Sequence, residues 1–116
     1  MINQISRVSG LKIIQKKEGY GRRPLNGQTL VVHYHGTLED GKVFSSSVDR
    51  GEKFKFIFGR GNVIPGWDEG FKFVKEGGES TFIIPPHLAY KDTGSPDGSI
   101  PPNATITFDV KLLEVI

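Results

Sequence analysis

The sequence predicts an α+β domain, a curved antiparallel sheet of five to six strands wrapped around one short helix. Three observations predict it. Apolar and polar residues alternate with period two in several short segments. The 15 glycines and 7 prolines divide the chain into pieces too short for long helices. A single segment carries apolar residues at helical spacing, and a helix with one apolar stripe must lie against the apolar face of the sheet.

Leu11 to Lys16 reads as the first strand, followed by a loop from Glu18 to Gly27 that closes on an Asn26-Gly27 turn signal. Gln28 to His35 alternates, with Leu30, Val32 and Tyr34 on one face and Val31, His33 and His35 on the other. Asp40-Gly41 turns the chain, and Val43 to Ser47 pairs back. In Lys53 to Phe58, three phenylalanines at positions 54, 56 and 58 share a face, each able to bury roughly 150–250 Å².

The helix is expected from Pro65 to Val74. Pro65 suits a first turn, where its missing N–H has no intrahelical acceptor. Asp68 and Glu69 complement the positive end of the helix dipole. Trp67, Phe71 and Val74 form the apolar stripe, and Lys75 with Gly77-Gly78 signals the stop. Gly66 and Gly70 lower the intrinsic propensity, so packing must hold this helix. Glu79 to Ile84 is a strand ended by Pro85-Pro86. The stretch from His87 to Asn103 is too long and too rich in Gly, Ser, Asp and Pro for a tight turn, which marks a functional loop. Ala104 to Val115 closes the chain, with Ile106, Phe108, Val110 and Leu112 alternating with polar residues.

Composition excludes several classes. At 116 residues, 36% hydrophobic and 24% charged, the chain has the composition of one ordinary globular domain. A net charge of +2 without a concentrated basic stripe argues against nucleic acid. With no cysteine there is neither a disulfide nor a thiolate metal site. No run of about 18 apolar residues is present to span a membrane. The start Met1-Ile2-Asn3-Gln4 does not resemble a secretory signal, so a cytoplasmic protein is expected. One core accounts for the apolar residues, which points to a monomer.

Candidates for covalent or acid–base chemistry are scarce. Ser45, Ser46 and Ser47 lack the G-x-S-x-G elbow of a nucleophile. Asp68 and Glu69 are adjacent in a helix and diverge. Gly59-Arg60-Gly61 lacks the ending of a phosphate loop. His33 and His35 share a strand face that looks outward, and two ligands are too few for a strong metal site. What remains is a set of inward-facing rings with a few polar groups, the makings of a binding pocket. Tyr34 and Tyr90 stand out in it, because a buried phenol needs a hydrogen-bond partner.

The run from Val31 to Phe44 (VVHYHGTLEDGKVF) resembles the FKBP-type prolyl isomerases, as do Phe54-Lys55-Phe56, Val63-Ile64-Pro65-Gly66-Trp67, Ala89-Tyr90, Ile100-Pro101-Pro102-Asn103-Ala104 and Phe108-Asp109-Val110-Lys111-Leu112-Leu113. The resemblance covers roughly residues 27–114, in order and with near-constant spacing. It implies one isomerase domain over residues 1–116, with its core at 27–114 and an N-terminal extension at 1–10. It implies a half-barrel sheet and a pocket with Trp67 as floor. Tyr34, Phe44, Phe54, Val63, Ile64, Tyr90, Ile100 and Phe108 would wall it. The implied activity is acceleration of Xaa-Pro bond rotation in polypeptides, without metal or cofactor. The same pocket would bind tacrolimus- and rapamycin-type macrolides through the Ile64 amide and the Tyr90 hydroxyl. Catalysis is expected from Tyr34, Phe44, Ser45, Trp67, Tyr90 and Phe108.

Three positions depart from the family pattern. Ser45 stands where an aspartate usually accepts bonds from the residues equivalent to Tyr34 and Arg50, Asn62 stands in place of a frequent glutamate, and the loop before Ile100 is one residue longer with Ser95 within it. Loss of a charge-assisted bond, worth about 1.5–3 kcal/mol, would lower turnover about 10–100-fold if uncompensated. Ser45 therefore keeps open a second reading, a non-catalytic proline-binding adaptor or chaperone module. Metal handling through His33 and His35 is the third. No chaperone insert lies between Ala89 and Ile100 and no histidine-rich tail follows Ile116, as expected of the minimal isomerase form.

Overall fold

A computed structural model of the protein describes residues 10–116. The expected N-terminal extension lies, up to residue 9, outside the described residues. Six strands form one antiparallel sheet: β1 (Lys12–Lys17), β2 (Thr29–Thr37), β3 (Val43–Ser46), β4 (Phe54–Ile57), β5 (Glu79–Ile84) and β6 (Ile106–Val115). Their order is β1-β5-β6-β2-β3, with β4 also on β2. One edge of β2 runs along β6. The other is shared end to end, by β4 opposite residues 29–32 and by β3 opposite residues 35–37. The chain between those two partners forms a helical turn, α1 (Ser47–Arg50), which the sequence reading did not anticipate. Its signal was present: Ser46 caps it by accepting from the Asp49 amide at 3.2 Å, a Ser-x-x-Asp spacing hidden at the end of a strand.

The sheet follows the alternation of the sequence. Leu30, Val32, Ile106, Val110 and Leu112 are buried on the helix side. Near the end of β6 the phase changes, because Val31 lies opposite Glu114 while Val32 lies opposite Leu112. Leu113 is the extra residue of a bulge, and beyond it Val115 turns inward and is fully buried. Val31, placed by alternation on the outer face, is buried too.

The helix α2 (Pro65–Gly70) is shorter than the periodicity suggested. It tightens into a 3₁₀ turn at Phe71–Phe73, and Val74 is already extended at φ −117°, ψ 127°. The apolar stripe survives the change, since Trp67, Phe71 and Val74 are all buried. The two glycines have a packing reason. A Cβ at Gly66 would meet the Ile84 side chain at 2.5 Å, and one at Gly70 the Phe82 ring at 2.8 Å. Glycine lets α2 lie directly on β5, at a cost in propensity that burial of Phe71 and Phe82 offsets. Asp68 does more than face the helix dipole: its carboxylate accepts from the Gly59 and Gly61 amides at 3.0 and 3.1 Å and so closes the turn between β4 and α2.

Candidate functional site

Where β2, β4 and β6 face the start of α2, their inward side chains stop short of a closed core and leave a pocket of about 510 Å³, within the range of small-molecule sites. Trp67, at the first turn of α2, forms its floor and is 4% exposed. Rings stand edge-on around it: Tyr34 at 5.2 Å and 71°, Phe108 at 5.1 Å and 81°, Phe54 at 5.9 Å and 81° between centroids and planes. Edge-to-face packing of this kind adds about 0.5–1.5 kcal/mol per pair beyond burial. Phe44 continues the wall, 5.4 Å from Phe108. Both rings cross the backbone of β2 at Gly36, where a Cβ would meet Phe44 at 2.6 Å and Phe108 at 2.8 Å. That requirement explains a glycine inside a strand. The Trp67 indole N–H is, among the described residues, the one buried side-chain polar atom without a hydrogen-bond partner.

One polar corner lies between β2 and α1. The Tyr34 and Ser45 hydroxyls are 2.8 Å apart. Arg50, projecting from α1, donates through Nη2 to Tyr34 Oη at 3.0 Å and through Nη1 to Ser45 Oγ at 3.3 Å. The bond to Tyr34 is also the largest cause raising the Arg50 pKa above its usual value. The position of α1 thus lets the guanidinium reach the phenol directly, without an intervening carboxylate. Behind this corner Ser47, fully buried, accepts from the Tyr34 amide at 2.8 Å and anchors α1 to β2.

The opposite rim comes from the long irregular stretch. Tyr90 is half-buried; burial, and then the charge of Asp97, raises its phenol pKa and keeps it a neutral donor. Its hydroxyl has no protein partner among the described hydrogen bonds, and neither has the Ile64 amide, at the N-cap of α2. Residues 95–99 brace one another. Ser95 exchanges backbone and side-chain bonds with Ile100, and Asp97 Oδ1 accepts from Ser95 Oγ, Ser99 N and Ser99 Oγ at 2.7, 3.0 and 2.8 Å. Those three donors hold the Asp97 carboxyl at a pKa of about 2.

Every site residue named from the sequence reaches this one pocket. Tyr34, Phe44, Ser45 and Phe54 come from the β2–β4 side, Val63, Ile64 and Trp67 from the entry to α2, and Tyr90, Ile100 and Phe108 from the far side. Asn62 and Ser95, noted as departures, also line it; Asn62 accepts from the Ile57 amide at 3.1 Å. Pro96, Asp97 and Ser99 were not singled out beforehand. Composition flagged their loop, but nothing local indicated which of its side chains meets the pocket. The histidines differ from the expectation of two side chains on an open face. Each is half-buried and bound to its own serine, His33 Nδ1 to Ser47 Oγ at 2.9 Å and His35 Nδ1 to Ser46 Oγ at 3.0 Å.

Comparison with known proteins agrees with this architecture. The family model for FKBP-type peptidyl-prolyl cis-trans isomerase matches residues 15–113. The Xenopus laevis protein named peptidyl-prolyl cis-trans isomerase FKBP1A is 51% identical over 107 residues, covering 91% of this chain and 98% of its own. The Drosophila melanogaster isomerase Fkbp12 is 49% identical, covering 91% and 98%. The Escherichia coli isomerase FkpA is 48% identical over 92% of this chain, which spans 38% of that longer protein. Among solved structures, AtFKBP13 superposes with a TM-score of 0.86 at 41% identity, covering 93% of this chain and 94% of its own. The Escherichia coli FkpA structure superposes at 0.87 with 46% identity, covering 98% of this chain and 51% of its own.

Proposed function

The chain belongs to the FKBP-type peptidyl-prolyl cis-trans isomerase family, and on that premise we propose that it accelerates Xaa-Pro rotation in polypeptides held in the pocket over Trp67. The observation that carries this reading is the pocket itself: an indole floor with Tyr34, Phe54 and Phe108 standing edge-on around it, matched to the flat apolar face of a prolyl ring. The barrier to be lowered is about 18–20 kcal/mol and arises from amide resonance. Uncatalysed, the rotation takes tens to hundreds of seconds. The twisted amide has lost resonance and its charge separation, so apolar walls favour it over the planar ground state. No covalent bond breaks, and the scarcity of nucleophiles and acid–base pairs suits the reaction. Each ~1.4 kcal/mol gained in the twisted state alone gives about tenfold in rate.

In this reading Phe44, Phe54, Val63 and Ile100 enclose the proline. The Ile64 amide and the Tyr90 hydroxyl, which lack protein acceptors among the described residues, take the carbonyls of the bound chain. Tacrolimus- and rapamycin-type macrolides occupy the same place. Tyr34 and Ser45 supply the polar corner beside Phe108. The Arg50 bond to Tyr34 at 3.0 Å supports turnover despite the serine, because a charge-assisted bond to the phenol is kept from the donor side. The protein acts as a monomer.

The test is the cis-to-trans rate of a short Xaa-Pro peptide with and without the protein, and with tacrolimus as competitor. The expected result is acceleration abolished by tacrolimus. Tacrolimus binding without acceleration would overturn the enzymatic reading and leave a proline-recognition module.

A further inference from the structure

We propose that Asp97 selects among the substrates of this pocket, favouring polypeptides with lysine or arginine next to the proline over those with an acidic residue there. The inference rests on the reading of the pocket as a proline site. Among the described residues Asp97 is the only charged one lining it, although the whole chain carries a net charge of +2. Its carboxylate places a negative charge at the rim of a protein whose overall balance is positive.

The carboxylate is also fixed. Its Oδ1 takes bonds from Ser95 Oγ at 2.7 Å, Ser99 N at 3.0 Å and Ser99 Oγ at 2.8 Å, while Oδ2 takes none of these. Ser95 in turn accepts from the amide of Ile100, a pocket wall residue that is 3% exposed. The charge is thus tied to the wall through one side chain. It acts inside the pocket as well, since Asp97 helps raise the pKa of Tyr90. No ion pair among the described residues involves Asp97. Arg50 forms no ion pair with it: its Nη atoms bond the neutral hydroxyls of Tyr34 and Ser45, and Arg50 is not among the lining residues. An incoming cation would thus meet a carboxylate that no cationic side chain among the described residues already pairs.

Asp97 is exposed, so the preference is modest and salt-dependent. The measurement is kcat/KM for tetrapeptides carrying lysine or glutamate before the proline, and for a second pair carrying them after it. At low salt the lysine peptide is expected to lead its glutamate counterpart by about threefold to tenfold at one of the two positions. Asp97→Asn, which keeps an acceptor oxygen for the Ser95 and Ser99 donors but removes the charge, should bring that ratio close to one. Asp92→Asn removes an exposed carboxylate of the same loop outside the pocket lining and should leave the ratio in place. The proposal is overturned by ratios that Asp97→Asn leaves unchanged at both positions, or that Asp92→Asn lowers equally. Absence of acceleration with any peptide would instead sink the isomerase reading. The same ratio would then be read from peptide affinities by calorimetric titration, and equal affinities for the lysine and glutamate peptides would overturn the role of Asp97.

Discussion

The floor of the pocket stands on β2, β4, β6 and α2, where rings pack edge-on against Trp67, whereas the rim at residues 95–99 is irregular chain held by serine hydroxyls, a carboxylate and a few amides. The floor is one with the hydrophobic core: Trp67 and Phe108 are buried in it, and Trp67 packs against Phe71, which does not line the pocket. Rim residues Pro96, Asp97 and Gly98 are exposed and rest mainly on near neighbours. Substitutions in the floor should therefore change stability and binding together. Those at the rim and in the polar corner should change binding or rate far more than stability.

The largest effect tests the floor. Trp67→Ala should cost about 3–5 kcal/mol, read from urea denaturation, and should abolish tacrolimus binding; a folded variant of near-native stability would break the comparison. Next comes Tyr90→Phe. Its hydroxyl has no protein hydrogen-bond partner among the described residues, so stability should stay within about 0.5 kcal/mol. Macrolide affinity should fall about fivefold to tenfold, the worth of one neutral hydrogen bond, as measured by calorimetry. A loss of stability equal to the loss of affinity would place Tyr90 with the floor.

A smaller change is expected at the polar corner. Ser45→Asp should raise peptide turnover by about threefold, well below the 10–100-fold gap expected for an uncompensated charge, because Arg50 already donates to Tyr34. Tacrolimus affinity should hardly move. A rise of a hundredfold would show that the arginine compensates for nothing.

The smallest effect is acid sensitivity. Asp97 is held at about 2 against the usual 3.8, so its contribution to stability is present above about pH 3.8 and is lost as pH falls from there through about 2. Glu76 is lowered from 4.5, first by the Arg22 amide and then by the Val115 amide, so its contribution is present above about pH 4.5 and fades below it. Denaturation midpoints measured from about pH 6 to pH 2 should fall below about pH 4.5, and Asp97→Asn should lessen the fall between about pH 3.8 and 2.

Legibility followed the same division. The strand at Glu79–Ile84, expected to end at Pro85-Pro86, has the bounds read from the sequence. The paired alternations of residues 28–35 and 104–115 became β2 and β6, each shifted by one or two residues at an end. The stripe of Trp67, Phe71 and Val74 identified the buried face of the helix, yet the helix itself stops at Gly70. Apolar spacing records which side faces the core but does not distinguish an α-turn from the 3₁₀ turn that continues it. The four-residue α1 is too short to show any period, and its capping serine sat among three consecutive serines that also read as strand.

The sequence by itself determined the α+β class, the faces of the strands and helix, the aromatic character of the pocket and the absence of thiol chemistry. These properties depend on residue type and on local periods of two and 3.6, which hold whatever the distant chain does. Only the tertiary structure decided that Arg50 bonds Tyr34 across 16 positions and that Gly36 gives way to the rings of Phe44 and Phe108. Each of these is a contact between segments brought together by strand pairing, and no local pattern encodes such a meeting.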